Sequence, residues 1–307
     1  MSAVAAAIGR RERTLWQEIW RHRVAYLFIA PFFLLFSVFN VYTLCYTIAL
    51  SFFEWDGGRA PWYPVGLANY ADLLLRDSVF QISLVNTLVY WVMLVPALVG
   101  GSLLLAVILN NARLRGRGVF RTVLFLPYVT STLIIGIVFV SLLDDNYGWL
   151  NALLRDLGLP AIPWLLSTQY SKLSVVLLMF WRNVGYYMII MLAGLQSIDG
   201  ELYEAASIDG AGAPARFRWI TVPLMRPVVF FVMILTTLMA LNMFESAYAL
   251  TRGGPEYSSQ PLMLTLYQRA FQFARFGSGS ALAVVISVLT IAIALVQLRF
   301  VRGIDTS

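Results

Sequence analysis

The chain has 307 residues, 60% of them hydrophobic and 12% charged, with a formal net charge of +6 and a mean hydropathy of +0.75. A water-soluble core cannot hide that much apolar surface, so a bilayer must solvate much of the chain. One cysteine (Cys45) and one histidine (His22) leave no disulfide framework, no Cys/His metal cluster and no basis for Ser/His/Asp or Cys/His catalysis.

Residues 1–23 form a basic segment carrying Arg10, Arg11, Arg13, Arg21 and Arg23. Leu15, Ile19 and Trp20 are spaced for an amphipathic helix on the membrane surface, with a plain positive anchor as the alternative reading. No cleavable signal pattern is present, and the apolar run that follows is too long for a signal core, so the segment is expected to be retained. The run 24–53 contains no Asp, Glu, Lys or Arg and is long enough to cross the bilayer. Pro31 falls in its first turns, and Phe52, Phe53 and Trp55 suit the far interface.

A polar external segment, 54–80, precedes a second span at 86–110, in which Pro96, Gly100 and Gly101 are tolerable because neighbouring helices satisfy freed backbone groups. Arg113, Arg115, Arg117 and Arg121 mark the inner side. The third span, 120–143, carries Leu126-Pro127-Tyr128 and leads to an external amphipathic helix over 149–157. The fourth, 173–197, holds the most polar intramembrane stretch, Trp181-Arg182-Asn183-Val184-Gly185-Tyr186-Tyr187. The fifth, 224–247, carries Thr236, Thr237, Asn242, Met243 and Glu245. The sixth, 278–298, closes on Arg299 and Arg302 and leaves a tail at 299–307. Basic residues favour one side about two to one, which puts both termini and the loop at 198–223 in the cytoplasm. The basic charge thus reads as membrane topology and not as a nucleic-acid surface.

That loop reads IDGELYEAASIDGAGAPARFRWITVP. Leu202, Ala205, Ala206 and Asp209 share a helical face, and the two alanines let a partner surface approach closely. Gly210 and Gly212 permit a positive φ, and Pro214 suits the start of a second short helix. The spacing Glu204-Ala205-Ala206, then Gly210, then Ile220 to Pro223, resembles the cytoplasmic coupling loop of ABC importer permeases. The family commonly has leucine where this chain has Val222. Outside the membrane, Thr251-Arg252-Gly253-Gly254-Pro255, followed by Tyr267 to Phe271, resembles the corresponding segment of sugar-type permeases. Gly66 to Tyr70 and the stretch from Phe80 to Asn86-Thr87 are similar to the family more loosely. The resemblance covers most of residues 25–298.

It implies an all-α, polytopic membrane protein of about six transmembrane helices with the ABC importer type I permease fold (maltose-permease-like), set in a bacterial or archaeal inner membrane. Residues 24–298 would form the permease domain. By the same resemblance the chain pairs with a second, homologous permease, engages two ATPase subunits and receives a sugar, oligosaccharide or polyol from an extracytoplasmic solute-binding protein. No G-x4-G-K-[ST] phosphate loop occurs, so ATP and Mg belong to the partner subunits, and no cofactor, metal or catalytic residue is expected in this chain. Glu204, Ala205, Ala206, Asp209, Gly210, Gly212 and Pro223 would couple to the ATPase. Glu204 would gain from a helix-start dipole and pair with an arginine. Gly253, Gly254 and Pro255 build a tight external turn for the binding protein.

Ionisable groups at bilayer depth cost about 2.5–3.5 kcal/mol on insertion scales, so they mark interiors and cavities. Glu245 with Asn183, Tyr186, Tyr187, Asn242 and Met243 would then line a substrate pathway. Against this, Arg182 could snorkel to the outer interface, and Glu245 lies near the outer end of its span. An ion-coupled secondary transporter would call for several buried acids and an internal repeat, and neither is visible. A non-transporting scaffold, or a permease for an anion or amino acid, also stays open.

Overall fold

The computed structural model describes residues 23–58, 61–111 and 114–305, with side chains as far as Arg299. The amphipathic possibility at 1–22 therefore lies outside the described residues. Five helices are long and apolar enough to cross a membrane: α1 (Arg23–Leu50), α3 (Ser78–Asn110), α7 (Ser171–Gln196), α9 (Ala213–Leu241) and α12, whose apolar part is Phe276–Arg299. A pair, α4 (Arg117–Val129) and α5 (Thr132–Leu142), is apolar enough to make a sixth span if taken together, and is bent by 101°. Shorter helices are α2 (Ala68–Ala71), α6 (Trp149–Asp156), α8 (Gly200–Ile208), α10 (Glu245–Leu250) and α11 (Leu262–Tyr267). Among the described residues the sheet content is one antiparallel hairpin, β1 (Phe53–Glu54) with β2 (Tyr63–Pro64), pairing Phe53 with Pro64 and Glu54 with Tyr63.

The bundle is centred on α3 and α7, with α9 and α4 packed beside them. Their shared core includes Tyr90, Leu94, Leu98, Leu178, Met188, Met191 and Met225. A smaller cluster of Leu73, Phe80, Leu262, Leu282 and Ile286 ties α11 and α12 to the outer end of α3. By contrast, every side chain of α1 from Arg23 to Cys45 is exposed. Its outer end alone is anchored. There Asn69 donates to the carbonyls of Ser51 and Phe53, both at 2.9 Å, and Tyr70 meets the Ser51 hydroxyl at 2.6 Å.

Several boundaries differ from the hydropathy reading, each for a local reason. The second span begins at Ser78 instead of 86, because Asp77 caps α3 by accepting from the Phe80 N–H at 2.9 Å. The third span is broken, not continuous. Pro127 withholds a backbone donor, and Thr130 and Ser131 are extended, with ψ of 145° and 130°. The fifth span starts inside the loop at 198–223, because Pro214 opens a turn at Ala213–Arg216 that runs through a π segment, Phe217–Thr221, into the span. It stops at Leu241 and resumes as α10. The tail expected from 299 onward is helical as far as Asp305.

The external helix at 149–157 is observed as α6. Asn151 fixes it: its amide donates to the carbonyls of Asp145 and Ile162, and its Oδ1 accepts from Ile162 N–H and Trp164 Nε1, all within 3.0 Å. In the turn before α6, the N–H groups of Tyr147 and Asn146 donate to Asp144 and hold its carboxyl below the usual carboxylate range.

Candidate functional site

Three groups of residues follow from this arrangement: one on α8, expected to be the inner end, one within the bundle and one in the loop between α10 and α11, expected to be outside. The inner group is a protruding helix and turn. Asp199 caps α8 by accepting from Glu201 N–H at 3.0 Å, and Gly210 takes φ +80° to end it. Tyr203 meets the Thr221 hydroxyl at 2.9 Å, and Arg216 donates to Ser207 Oγ at 2.6 Å. These bonds fasten α8 to the base of α9, so the knob and the span are one mechanical piece.

Glu204, Ala205, Asp209 and Gly210 are exposed, and Ala206 is half-buried. Leu202, Ile208 and Trp219 are exposed as well, Ile208 by 87%. Two expectations need correction. Glu204 lies a full turn inside α8, so the dipole-favoured helix start is held by Asp199 and Glu201 instead. Gly212 is extended, at φ −68° and ψ 168°, and serves as the N-cap of the next helix. Pro223 follows the π segment directly, where the helix continues without its backbone donor.

The second group forms at the gap between α9 and α10. A cleft of about 310 Å³ opens there, lined by Thr132, Met179, Arg182, Asn183, Met239, Asn242, Met243, Phe244, Glu245 and Ser246. Four of the six residues expected along a pathway (Asn183, Asn242, Met243 and Glu245) meet at this cleft, and Arg182 joins them. The two tyrosines do not. Tyr187 is buried in the bundle core at 4% exposure. Tyr186 stacks on Tyr128 with ring centroids 4.2 Å apart and planes within 8°.

Arg182 reaches the broken span. Its Nη2 donates to the Tyr128 carbonyl at 3.3 Å, its Nη1 to Asn183 Oδ1 at 3.4 Å, and the guanidinium carbon lies 5.4 Å from the Tyr128 ring centre. The break leaves the last carbonyls of α4 without helical partners, and a cation there is favoured by the helix dipole. Sequence reasoning had weighed Arg182 only as an ionisable group; a break at Thr130–Ser131 would have been the signal for its role.

The outer group is the loop between α10 and α11. Gly253 has φ +88°, is buried, and packs so closely that a Cβ would overlap Gln260 Oε1. Gly253 thus shapes the loop from within, while Gly254 and Pro255 are half-buried. Its exposed side chains are Arg252, Glu256 and Tyr257. The loop is stitched to the bundle by residues from distant parts of the chain. Asn86 donates to the carbonyls of Tyr257 and Gln260 at 2.7 and 3.0 Å. Tyr90 donates to the carbonyl of Ser259 at 2.8 Å, and Lys172 to that of Ser258 at 2.8 Å.

Asn86→Ala should loosen this loop by about 1–3 kcal/mol, because it strands two buried carbonyls and removes a partner of Lys172. Faster proteolysis within 252–260 from the outer side, at unchanged expression, would register the effect. Beside the loop, an ion pair between Arg269 and Asp77 borders an open external cavity of about 550 Å³ with Glu54, Asp56 and Asp72 along its wall. Among the described residues no group of three or more His, Cys, Asp or Glu side chains is placed to hold a metal ion.

A helical bundle with an inner knob, a polar cleft at a helix break and a rigid outer loop is the outline of a membrane permease. Comparison with known proteins makes the class specific. Residues 99–306 match the family described as binding-protein-dependent transport system inner membrane component. The chain is 36% identical over 282 residues to the probable ABC transporter permease protein YurN of Bacillus subtilis, covering 91% of this chain and 96% of that one. It is 36% identical over 272 residues to the lactose transport system permease protein LacF of Rhizobium radiobacter, covering 87% and 90%. A solved bacterial alginate ABC transporter, in complex with an alginate pentasaccharide-bound periplasmic protein, contains a chain that superposes with a TM-score of 0.82 at 23% identity, over 95% of this chain and 98% of that one.

The chain belongs to the family of binding-protein-dependent transport system inner membrane components. It is a multi-pass permease subunit of an ABC importer, a transport component and not an enzyme.

Proposed function

We propose that this chain carries a sugar, oligosaccharide or related polyol across the inner membrane by alternating access, with both termini in the cytoplasm. In this reading it pairs with a second, homologous permease, two ATPase subunits bind and hydrolyse ATP with Mg, and an extracytoplasmic binding protein delivers the solute. The knob built on α8, with Glu204, Ala205, Ala206, Asp209 and Gly210 at its surface, sits in a cleft of an ATPase subunit. Closure of the ATPase pair pushes α8, and its bonds to Thr221 and Arg216 pass the motion into α9. At the far end of α9 lies the cleft containing Asn183, Asn242, Met243 and Glu245.

The observation that carries this reading is that single rigid connection between an exposed inner knob and a polar intramembrane cleft. The carbohydrate assignment draws on the cleft's donors and acceptors, which match hydroxyl groups, and on relatives such as the lactose permease. The outer loop, presenting Arg252, Glu256 and Tyr257, is the docking face for the binding protein.

The test is reconstitution in vesicles. With both permeases, the ATPase and the binding protein present, carbohydrate should stimulate ATP hydrolysis and accumulate inside. Accumulation by this chain alone, driven by an ion gradient without ATPase subunits, would refute it.

A further inference from the structure

A separate groove of about 510 Å³ runs between α3, α9 and α12. Its walls are Trp91 of α3, Phe230 and Met233 of α9, and Ala292, Ile293 and Val296 of α12. The one polar atom on these six side chains, the Trp91 indole N–H, donates to Thr237 Oγ1 at 3.0 Å. Gln297, which also lines the groove, donates to the same oxygen at 2.8 Å. A single hydrogen-bonded node thus ties the three helices together there, and the rest of the surface is apolar.

Both outer walls continue into a cation. Arg226, Phe230 and Met233 follow at i, i+4 and i+7 on α9, and Ala292, Val296 and Arg299 do so on α12, so each stripe shares one helical face. Consecutive spans run in opposite directions, which puts both arginines toward the end nearest the α8 knob. Both are exposed, and among the described residues neither has a hydrogen-bonding or ionic partner. No Asp or Glu occurs in 78–110, 222–241 or 276–299, the segments that form the walls. At 1.5 Å per residue, Thr237 lies about 16 Å from Arg226 along α9, close to half of a hydrocarbon core about 30 Å thick. The groove is therefore one leaflet deep, apolar within and cationic at its rim.

A second copy's α1 is apolar enough to fill such a groove, but its terminal Arg23 would face two like charges. A phospholipid meets both demands, with methylenes against the walls and an acidic headgroup at the rim. We propose that this groove holds one acyl chain of an anionic phospholipid from the leaflet on the knob side, its phosphate held between Arg226 and Arg299. The inference is independent of the carbohydrate reading. Each arginine near a membrane surface favours an anionic lipid by a factor of about five.

The test uses the assembled importer in phosphatidylcholine nanodiscs. One of two photoreactive lipids is added, phosphatidylglycerol or phosphatidylcholine, each with the same diazirine-bearing acyl chain, and labelled peptides are mapped by mass spectrometry. Phosphatidylglycerol should label 230–233 and 292–296 at least fivefold more than phosphatidylcholine. Arg226→Gln combined with Arg299→Gln should bring the two probes level, and lysine at both positions should keep most of the preference. Ala292→Trp, which fills the groove, should abolish labelling of 230–233 by both.

Equal labelling of the wild-type groove by the two lipids overturns the proposal, and so does a preference that survives in the double glutamine variant. Labelling by neither means that protein covers the groove, which overturns it as well. None of these outcomes bears on which solute is carried.

Discussion

Glu204→Lys in the reconstituted importer should cut solute-stimulated ATP hydrolysis at least tenfold and leave membrane insertion intact. The carboxylate is exposed on a helix whose own caps are Asp199 and Gly210, so nothing in the chain's own fold depends on it. Its proposed partner is an arginine in the ATPase cleft. Losing one member of a buried, hydrogen-bonded charge pair costs about 2–5 kcal/mol, and reversal adds repulsion; tenfold corresponds to about 1.4 kcal/mol. Glu201→Lys, in the first turn of the same helix, is the natural comparison and should weaken the cap more than the coupling. Wild-type stimulation in Glu204→Lys would remove the knob from the mechanism.

Gly185→Leu should prevent the chain from folding into its bundle, with loss of protein from the membrane fraction. Gly185 is the point where α7 touches the backbone of α4. A Cβ there would overlap the carbonyl of Leu124 and stand 3.0 Å from the N–H nitrogen of Phe125. The obstacle is main chain, which cannot rotate aside, and close backbone approach through small residues is how helices associate in lipid. Overpacking against movable side chains costs about 1–3 kcal/mol; here the cost should exceed that. Gly100→Ala, where nothing lies within 4 Å of the added carbon, is the matched control and should accumulate normally. Equal yields of the two variants would show that α4 and α7 pack differently in the membrane.

Much of this was legible in the sequence, for identifiable reasons. Apolar runs reveal spans because hydropathy measures the solvent a segment needs: five of the six runs correspond to helices long and apolar enough to cross a membrane, and the third to a bent pair. The inner knob was legible because Gly210 and Pro214 dictate local backbone geometry whatever surrounds them. The break at Thr130–Ser131 was not, because two small uncharged residues barely alter hydropathy while their extended dihedrals turn the chain by 101°. The burial of Gly253 was not legible for a related reason. A glycine needed for close packing and one needed for an exposed turn look identical in sequence, and only Gln260 lying against it separates the two. Asn86, Tyr90 and Lys172 hold the outer loop across more than 80 residues of chain, a relation no local pattern encodes. The cleft was half legible: Asn183, Asn242 and Glu245 stood out as polar among apolar neighbours, but so did Tyr186 and Tyr187, which the bundle uses for packing.

The fracture in the third crossing carries a cost for the cell. Peptide groups released midway through a membrane must find protein or water, and Arg182 accounts for just one of them, the Tyr128 carbonyl. Water drawn to that depth would offer protons half a route across the barrier that stores the cell's electrochemical gradient. A notch at mid-membrane depth would call for a dry plug on one side of it in the idle transporter. The greasy, deformable side chains of Met179, Met239, Met243 and Phe244 around the cleft are suited to that sealing duty.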